Sequence, residues 1–314
     1  MKKGMCVLTA LCAGFLFIAS GTHEKSVTPG EKVRTFVSIS PQSYFVERIG
    51  GGLVTVDVLV KPGQEPHTYE PTPRQMVALS DAHLYFSVGF PFEERILRKV
   101  QSTNPKLLLV HTDGGIKRRM LEVHLDDGVT HAESRGDEPA TREDGGEPIH
   151  GGGEPDPHIW LGPEQIGVQV RNIYRALADI DPSHAQEYRK NLDAFLADLE
   201  VINAKLSVLF EPYRGRSFFV YHPAFGYFAD AYGLTQVPVE LSGKQPTPKQ
   251  IEGLITRAKK EGVRVVFVSP QFDHRSAETI AEAIDGAVVT IDPLARDVLA
   301  NLQGVAAAIE GAFR

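Results

Sequence analysis

Four short stretches of this 314-residue chain set metal-ligating side chains beside proline. The first, Glu65-Pro66-His67-Thr68-Tyr69-Glu70-Pro71-Thr72-Pro73, packs an imidazole, two carboxylates, a phenol and three prolines into nine positions. Proline breaks helical hydrogen bonding on both sides of His67, so a stiff loop aims this imidazole. Asp156-Pro157-His158-Ile159-Trp160-Leu161 places a second His directly after a proline. Val220-Tyr221-His222-Pro223 places a third at the end of a strand, and Thr290-Ile291-Asp292-Pro293-Leu294 places an Asp at the end of another. Three imidazoles and one carboxylate suit Zn²⁺ in tetrahedral geometry. Spacing alone does not make four residues converge, and each taken singly fits a solvated or structural side chain.

The elements that must position them alternate strand and helix. Val33 to Ser40 reads as a first strand, Gln42 to Ile49 as a short helix ended by Gly50-Gly51-Gly52, and Val54 to Val60 as a second strand leading into the His67 loop. Thr72 then caps a helix, with Pro73 at its first position and Gln75 where a capping box needs it. Strands follow at Leu84 to Val88 and Leu107 to Val110. The second half repeats the logic: strands at Phe218 to Tyr221, Val263 to Val268 and Ala287 to Ile291, a helix opened by Pro246-Thr247-Pro248-Lys249-Gln250, and a C-terminal helix. Such alternation predicts an α/β protein of two parallel-sheet lobes. Ligands gather at the carboxyl ends of parallel strands, and a crevice between lobes is a common place for them.

Between the halves, apolar residues recur at Ala185, Tyr188, Leu192, Phe195, Leu199, Ile202, Leu206 and Leu209 in steps of three and four. This is one apolar stripe on a helix about 40–45 Å long, rigid enough to join two lobes with little hinge bending. A coiled-coil segment has the same spacing. The expected division is a leader at 1–21, a first lobe at 31–180, the helix at 181–211 and a second lobe at 212–314.

Lys2 and Lys3 precede an apolar run from Met5 to Ala19 and then Ser20-Gly21, the order of a secretory signal peptide and short for a membrane span. Both cysteines, Cys6 and Cys12, fall inside it, and Leu11 before Cys12 is a poor context for lipid attachment. The expectation is a soluble exported protein whose mature form has no thiolate, leaving His, Asp and Glu to hold any metal. A net charge of -7 and the absence of a basic stripe argue against nucleic-acid binding. From Glu122 to Asp156 the chain is rich in Asp, Glu, Gly and Pro, with His124, His131 and His150 scattered through it. That segment reads as an acidic insertion that gathers cations loosely or is merely solvated.

The stretches PHTYEPTP, DPHIWL, HPAFGYF and TIDPL, in this order, resemble the zinc and manganese solute-binding proteins of bacterial ABC importers. The resemblance extends over the acidic insertion, the long helix and Glu240 to Pro248. It implies two Rossmann-like (β/α) lobes joined by one rigid helix, a metal between them, and no catalysis. Carried over residue by residue, the ligands are His67, His158, His222 and Asp292, with Glu65 or a water as the alternative fourth. A His at position 222, where manganese-type relatives carry a carboxylate, points to Zn²⁺. The implied role is periplasmic capture of Zn²⁺ by a monomer and delivery to an inner-membrane permease served by a separate ATPase. Ser242-Gly243-Lys244 lacks the upstream glycine of a Walker A loop, in keeping with that separation. A Mn²⁺-binding member of the same family is the nearest alternative. An exported zinc hydrolase with Glu65 as base, and an adhesin, are more distant. The chain has no HExxH and no serine nucleophile elbow to favour the hydrolase.

Overall fold

The computed structural model describes residues 30–121, 154–240, 244–272 and 274–314. The leader expected at 1–21, its two cysteines, and His124, His131 and His150 lie outside the described residues. The first half runs β1 (Val33–Ile39), α1 (Ser40–Gly50), β2 (Val54–Val60), α2 (Pro73–Ser80), β3 (Leu84–Ser87), α3 (Pro91–Thr103), β4 (Leu108–His111) and α4 (Pro163–Ile180). Then come α5 (Ala185–Phe210), β5 (Ser217–Val220), α6 (Gly226–Tyr232), β6 (Thr235–Pro238), α7 (Pro248–Glu261), β7 (Val265–Val268), α8 (Arg275–Ala283), β8 (Ala287–Thr290) and α9 (Val298–Phe313).

The strands form two four-stranded sheets, ordered β2-β1-β3-β4 and β6-β5-β7-β8, with every pairing parallel. The two lobes therefore share one topology, and both carry the same helix start. Thr72 and Thr247 each close a full capping box, with Gln75 and Gln250, at α2 and α7. The sequence of β1 alternates apolar and polar, yet only Arg34 is exposed along it. A central parallel strand is covered on both faces, so Thr35 and Ser38 are buried as well. Thr35 satisfies its hydroxyl on the Thr55 carbonyl at 2.8 Å.

The 26 residues of α5 span about 39 Å. Its buried stripe is Tyr188, Leu192, Phe195, Leu199, Ile202, Leu206 and Phe210. The last step is four residues and not three, so Phe210 is buried where Leu209 was the expected member. The stripe packs inside the molecule, against α1 and α4 of the first lobe and α6 and α9 of the second, which removes the coiled-coil reading. One continuous core joins the first sheet, α5, α6 and α9. A smaller core under α7 and α8 fills the far side of the second sheet. Among the described residues no helix is long and apolar enough to cross a membrane.

Candidate metal centre

His67 lies in the loop between β2 and α2, at the carboxyl end of the first sheet. Its backbone is fixed by Glu65, whose carboxylate accepts from His67 N at 2.7 Å and from both the N–H and the hydroxyl of Thr68 at 2.7 and 2.6 Å. Tyr69 anchors the far side of the loop by donating to the Leu59 carbonyl at 2.7 Å, and its ring meets Phe92 edge-on. The His67 ring leans edge-on against Phe90 at 5.3 Å, and its Nε2 is buried with no hydrogen-bond partner among the described residues. Phe90 is presented by the β3–α3 turn, where Gly89 has φ +97° and a Cβ would strike the Arg118 guanidinium. Glu93 ties this turn together: its carboxylate accepts from the backbone of Val88, Gly89 and Phe90, and from the Ser38 hydroxyl.

His158 arrives from the far end of the acidic insertion. The two ends of that insertion run side by side, with Leu121 N on the Glu154 carbonyl and Asp156 N on the Arg119 carbonyl. Asp156 is fully buried and accepts from His158 Nδ1 at 2.7 Å through Oδ1, while Oδ2 accepts from Arg119 at 3.2 Å. His222 follows β5, and its Nδ1 donates to Glu240 Oε1 at 2.5 Å. The pairing of β5 with β6 sets this contact. Val220 lies opposite Pro238, so the same offset carried two residues further brings His222 beside Glu240. A carboxylate only accepts, so each Nδ1 carries the proton and each Nε2 presents a lone pair.

Those Nε2 atoms face one another: His158 Nε2 and His222 Nε2 are 3.0 Å apart. His67, His158 and His222 each offer a ring nitrogen within 4.8 Å of the others. Two nitrogens on one tetrahedral zinc stand about 3.3 Å apart, close to the His158–His222 separation. Burial, with repulsion from the neighbouring imidazoles, pushes the His67 pKa down to about 2. Burial also lowers His158 below the usual imidazole range, against the pull of Asp156. Asp156 itself is raised by burial, but His158 and Arg119 outweigh that and hold it ionised. The site thus keeps His67 and His158 neutral at pH 7, the form that binds a cation.

The lobes close over the cluster through specific contacts. Trp160 packs 5.3 Å from the His158 ring and donates to the Pro293 carbonyl at 2.7 Å, joining the first lobe to the β8–α9 turn. Tyr227 of α6 donates to the Asp156 carbonyl at 3.0 Å, and Arg119 reaches Asp230 of the same helix at 3.0 Å. Phe272 stacks on His222 at 4.5 Å.

Asp292 and Glu65 stand outside the three-nitrogen cluster. Glu65 spends its oxygens on the loop that carries His67. Asp292 Oδ1 accepts from Leu294 N at 2.9 Å and from Gln271 Nε2 at 2.8 Å. Trp160 packs against the His158 ring, while Tyr69 braces the His67 loop from behind. Neither motif nor spacing marks Glu240, Gln271 or Phe90 as part of the site. Asp156 was legible within Asp-Pro-His, but Glu240 becomes visible only once the β5–β6 register is known.

A family model described as "Zinc-uptake complex component A periplasmic" matches residues 36–305 of this chain. The chain is 27% identical to the high-affinity zinc uptake system protein ZnuA of Bacillus subtilis (strain 168) over 308 residues, covering 94% of this chain and 90% of that protein. Among solved structures, a crystal structure of ZnuA superposes with a TM-score of 0.78 at 37% identity, over 90% of this chain and all of that one. A zinc-bound ZnuA carrying a 138–173 deletion superposes with a TM-score of 0.77, also at 37% identity, over 90% of this chain and 98% of that one. With the matched segment spanning both lobes and the helix between them, the chain belongs to the zinc-uptake complex component A family.

Proposed function

We propose that this protein captures Zn²⁺ outside the cytoplasmic membrane and delivers it to an ABC permease driven by a separate ATPase. His67, His158 and His222 are the ligands. The observation that carries the reading is the meeting of their buried ring nitrogens at the mouth of both sheets, two of them backed by carboxylates that fix the metal-binding tautomer. Neutral imidazoles favour a borderline ion such as Zn²⁺ over Mn²⁺, which prefers oxygen donors. Export rests on the charged-apolar-small order of residues 1–21, and sequencing the N-terminus of the secreted protein tests it.

Competitive titration of the mature protein against a zinc chelator tests capture, beside His222→Ala and a parallel titration with Mn²⁺. Trp160 is the chain's single tryptophan and touches His158, so its fluorescence reports binding directly. The expected result is one tightly held Zn²⁺, weakened in the variant by more than the ~100-fold that loss of an outer partner costs. Equal or tighter Mn²⁺ binding moves the protein to the manganese side. Unchanged zinc affinity in His222→Ala overturns the ligand set. Zinc-limited growth of cells lacking the protein, restored by wild type but not by His222→Ala, tests delivery.

A further inference from the structure

Gln271, in the turn after β7, lines the same pocket as the three histidines, beside Phe272 and Leu294. Its amide orientation is determined by Asp292. Nε2 donates to Asp292 Oδ1 at 2.8 Å, and an ionised carboxylate cannot donate in return, so the amide carbonyl must point the other way. That carbonyl oxygen, Oε1, is buried and has no hydrogen-bond partner among the described residues. Among the described residues, the one other buried, unpartnered side-chain atom lining this pocket is His67 Nε2. The side chains of Phe90, Phe272 and Leu294 that line the pocket are apolar and carry no donor. The Trp160 N–H is already committed to the Pro293 carbonyl. A buried, unpartnered amide oxygen in a pocket lined by three imidazoles suits a cation.

We infer that Gln271 Oε1 supplies the fourth contact to the captured ion, and that Asp292 is a positioning residue that holds Gln271 in place without touching the metal. This rests on the zinc-capture reading above. It makes the three charged supports of the site alike: Asp156 acts through His158, Glu240 through His222, and Asp292 through Gln271, each one hydrogen bond behind a neutral donor. A neutral oxygen in the fourth place holds Zn²⁺ less firmly than a carboxylate would, which suits a protein that must release its cargo.

The test uses Co²⁺ in place of Zn²⁺, because its visible absorption reports the donor set, together with zinc affinities by chelator competition. The proteins are wild type, Gln271→Met, Asp292→Asn, Asp292→Ala and the Gln271→Met/Asp292→Ala double variant. Gln271→Met keeps the volume and is expected to weaken zinc by about 10–100-fold and to change the Co²⁺ spectrum. Asp292→Asn still offers an oxygen to Gln271 and Leu294 and should stay within about threefold of wild type, whereas exchanging an anionic ligand for a neutral one would weaken zinc well beyond that. Asp292→Ala should weaken zinc, and the double variant should fall no further than Gln271→Met. An unchanged spectrum and affinity in Gln271→Met overturns the inference, as does additive loss in the double variant. Failure of the zinc reading shows separately, as a wild-type Co²⁺ spectrum that His222→Ala leaves unaltered.

Discussion

The two lobes share a strand order, a capping box and a helix-covered parallel sheet, yet they support their histidines differently. In the first lobe Asp156 lies two residues before His158 and comes from the same loop. In the second, Glu240 lies eighteen residues after His222 and is delivered by a neighbouring strand. The first lobe adds His67, which leans on Phe90 and a loop braced by Glu65. The cores differ too. The first lobe shares one continuous core with α5, while α7 and α8 close a smaller one of their own. A common scaffold thus fixes where strands end, and the chemistry depends on what each connection places there.

The largest expected effect breaks the shared core. Phe195 is fully buried on α5, with its ring edge-on to Phe45 at 5.8 Å. Phe195→Ala should cost about 3–5 kcal/mol, and the same change at Phe219, fully buried in the smaller core, should cost less. Urea unfolding of both checks this, and equal losses would mean that the cores do not differ in weight.

Next is a pH effect peculiar to the first lobe. Burial raises Glu93 from 4.5 to about 7, against the backbone N–H groups that favour its charged form. Between those values the folded chain holds a proton that the unfolded chain has released. Stability therefore falls as pH rises through that window, by up to about 3 kcal/mol from this group. Glu93→Gln should remove that part of the slope, seen by comparing denaturation midpoints of both proteins at pH 5 and pH 8.

Exchanging the outer carboxylates sharpens the contrast at the site. Glu240→Gln should weaken zinc about 10–100-fold with little change in stability. Asp156→Asn should weaken zinc similarly and also destabilise the fold, because Arg119 would then face a neutral amide in place of a buried carboxylate. Zinc titration alongside thermal unfolding separates the two outcomes. Smallest is the cap pair. Thr72→Ala and Thr247→Ala should each cost about 1 kcal/mol, since the two capping boxes are the same in kind. A large difference between them would show that the motif serves the site in one lobe only.

Local chemistry determined much of this protein directly from sequence. Prolines around His67 prescribe a loop, Thr72 with Gln75 and Thr247 with Gln250 prescribe helix starts, and three- and four-residue apolar steps prescribe the face α5 buries. These features depend on neighbours within about one helical turn, so they can be read in one dimension. The resemblance carried by four ordered motifs supplied the histidine set, which spacing alone left open. What only the tertiary structure decided is the arrangement around that set. Glu240 meets His222 through the register of two strands, Trp160 meets Pro293 across the lobes, and Gln271 is oriented by Asp292 twenty-one residues away. Asp292 shows the difference best. The resemblance implies it as a ligand, and in the fold its carboxylate accepts from Leu294 N two residues on and from Gln271 in the turn after β7; the second contact joins segments far apart in sequence and leaves no periodic trace to read.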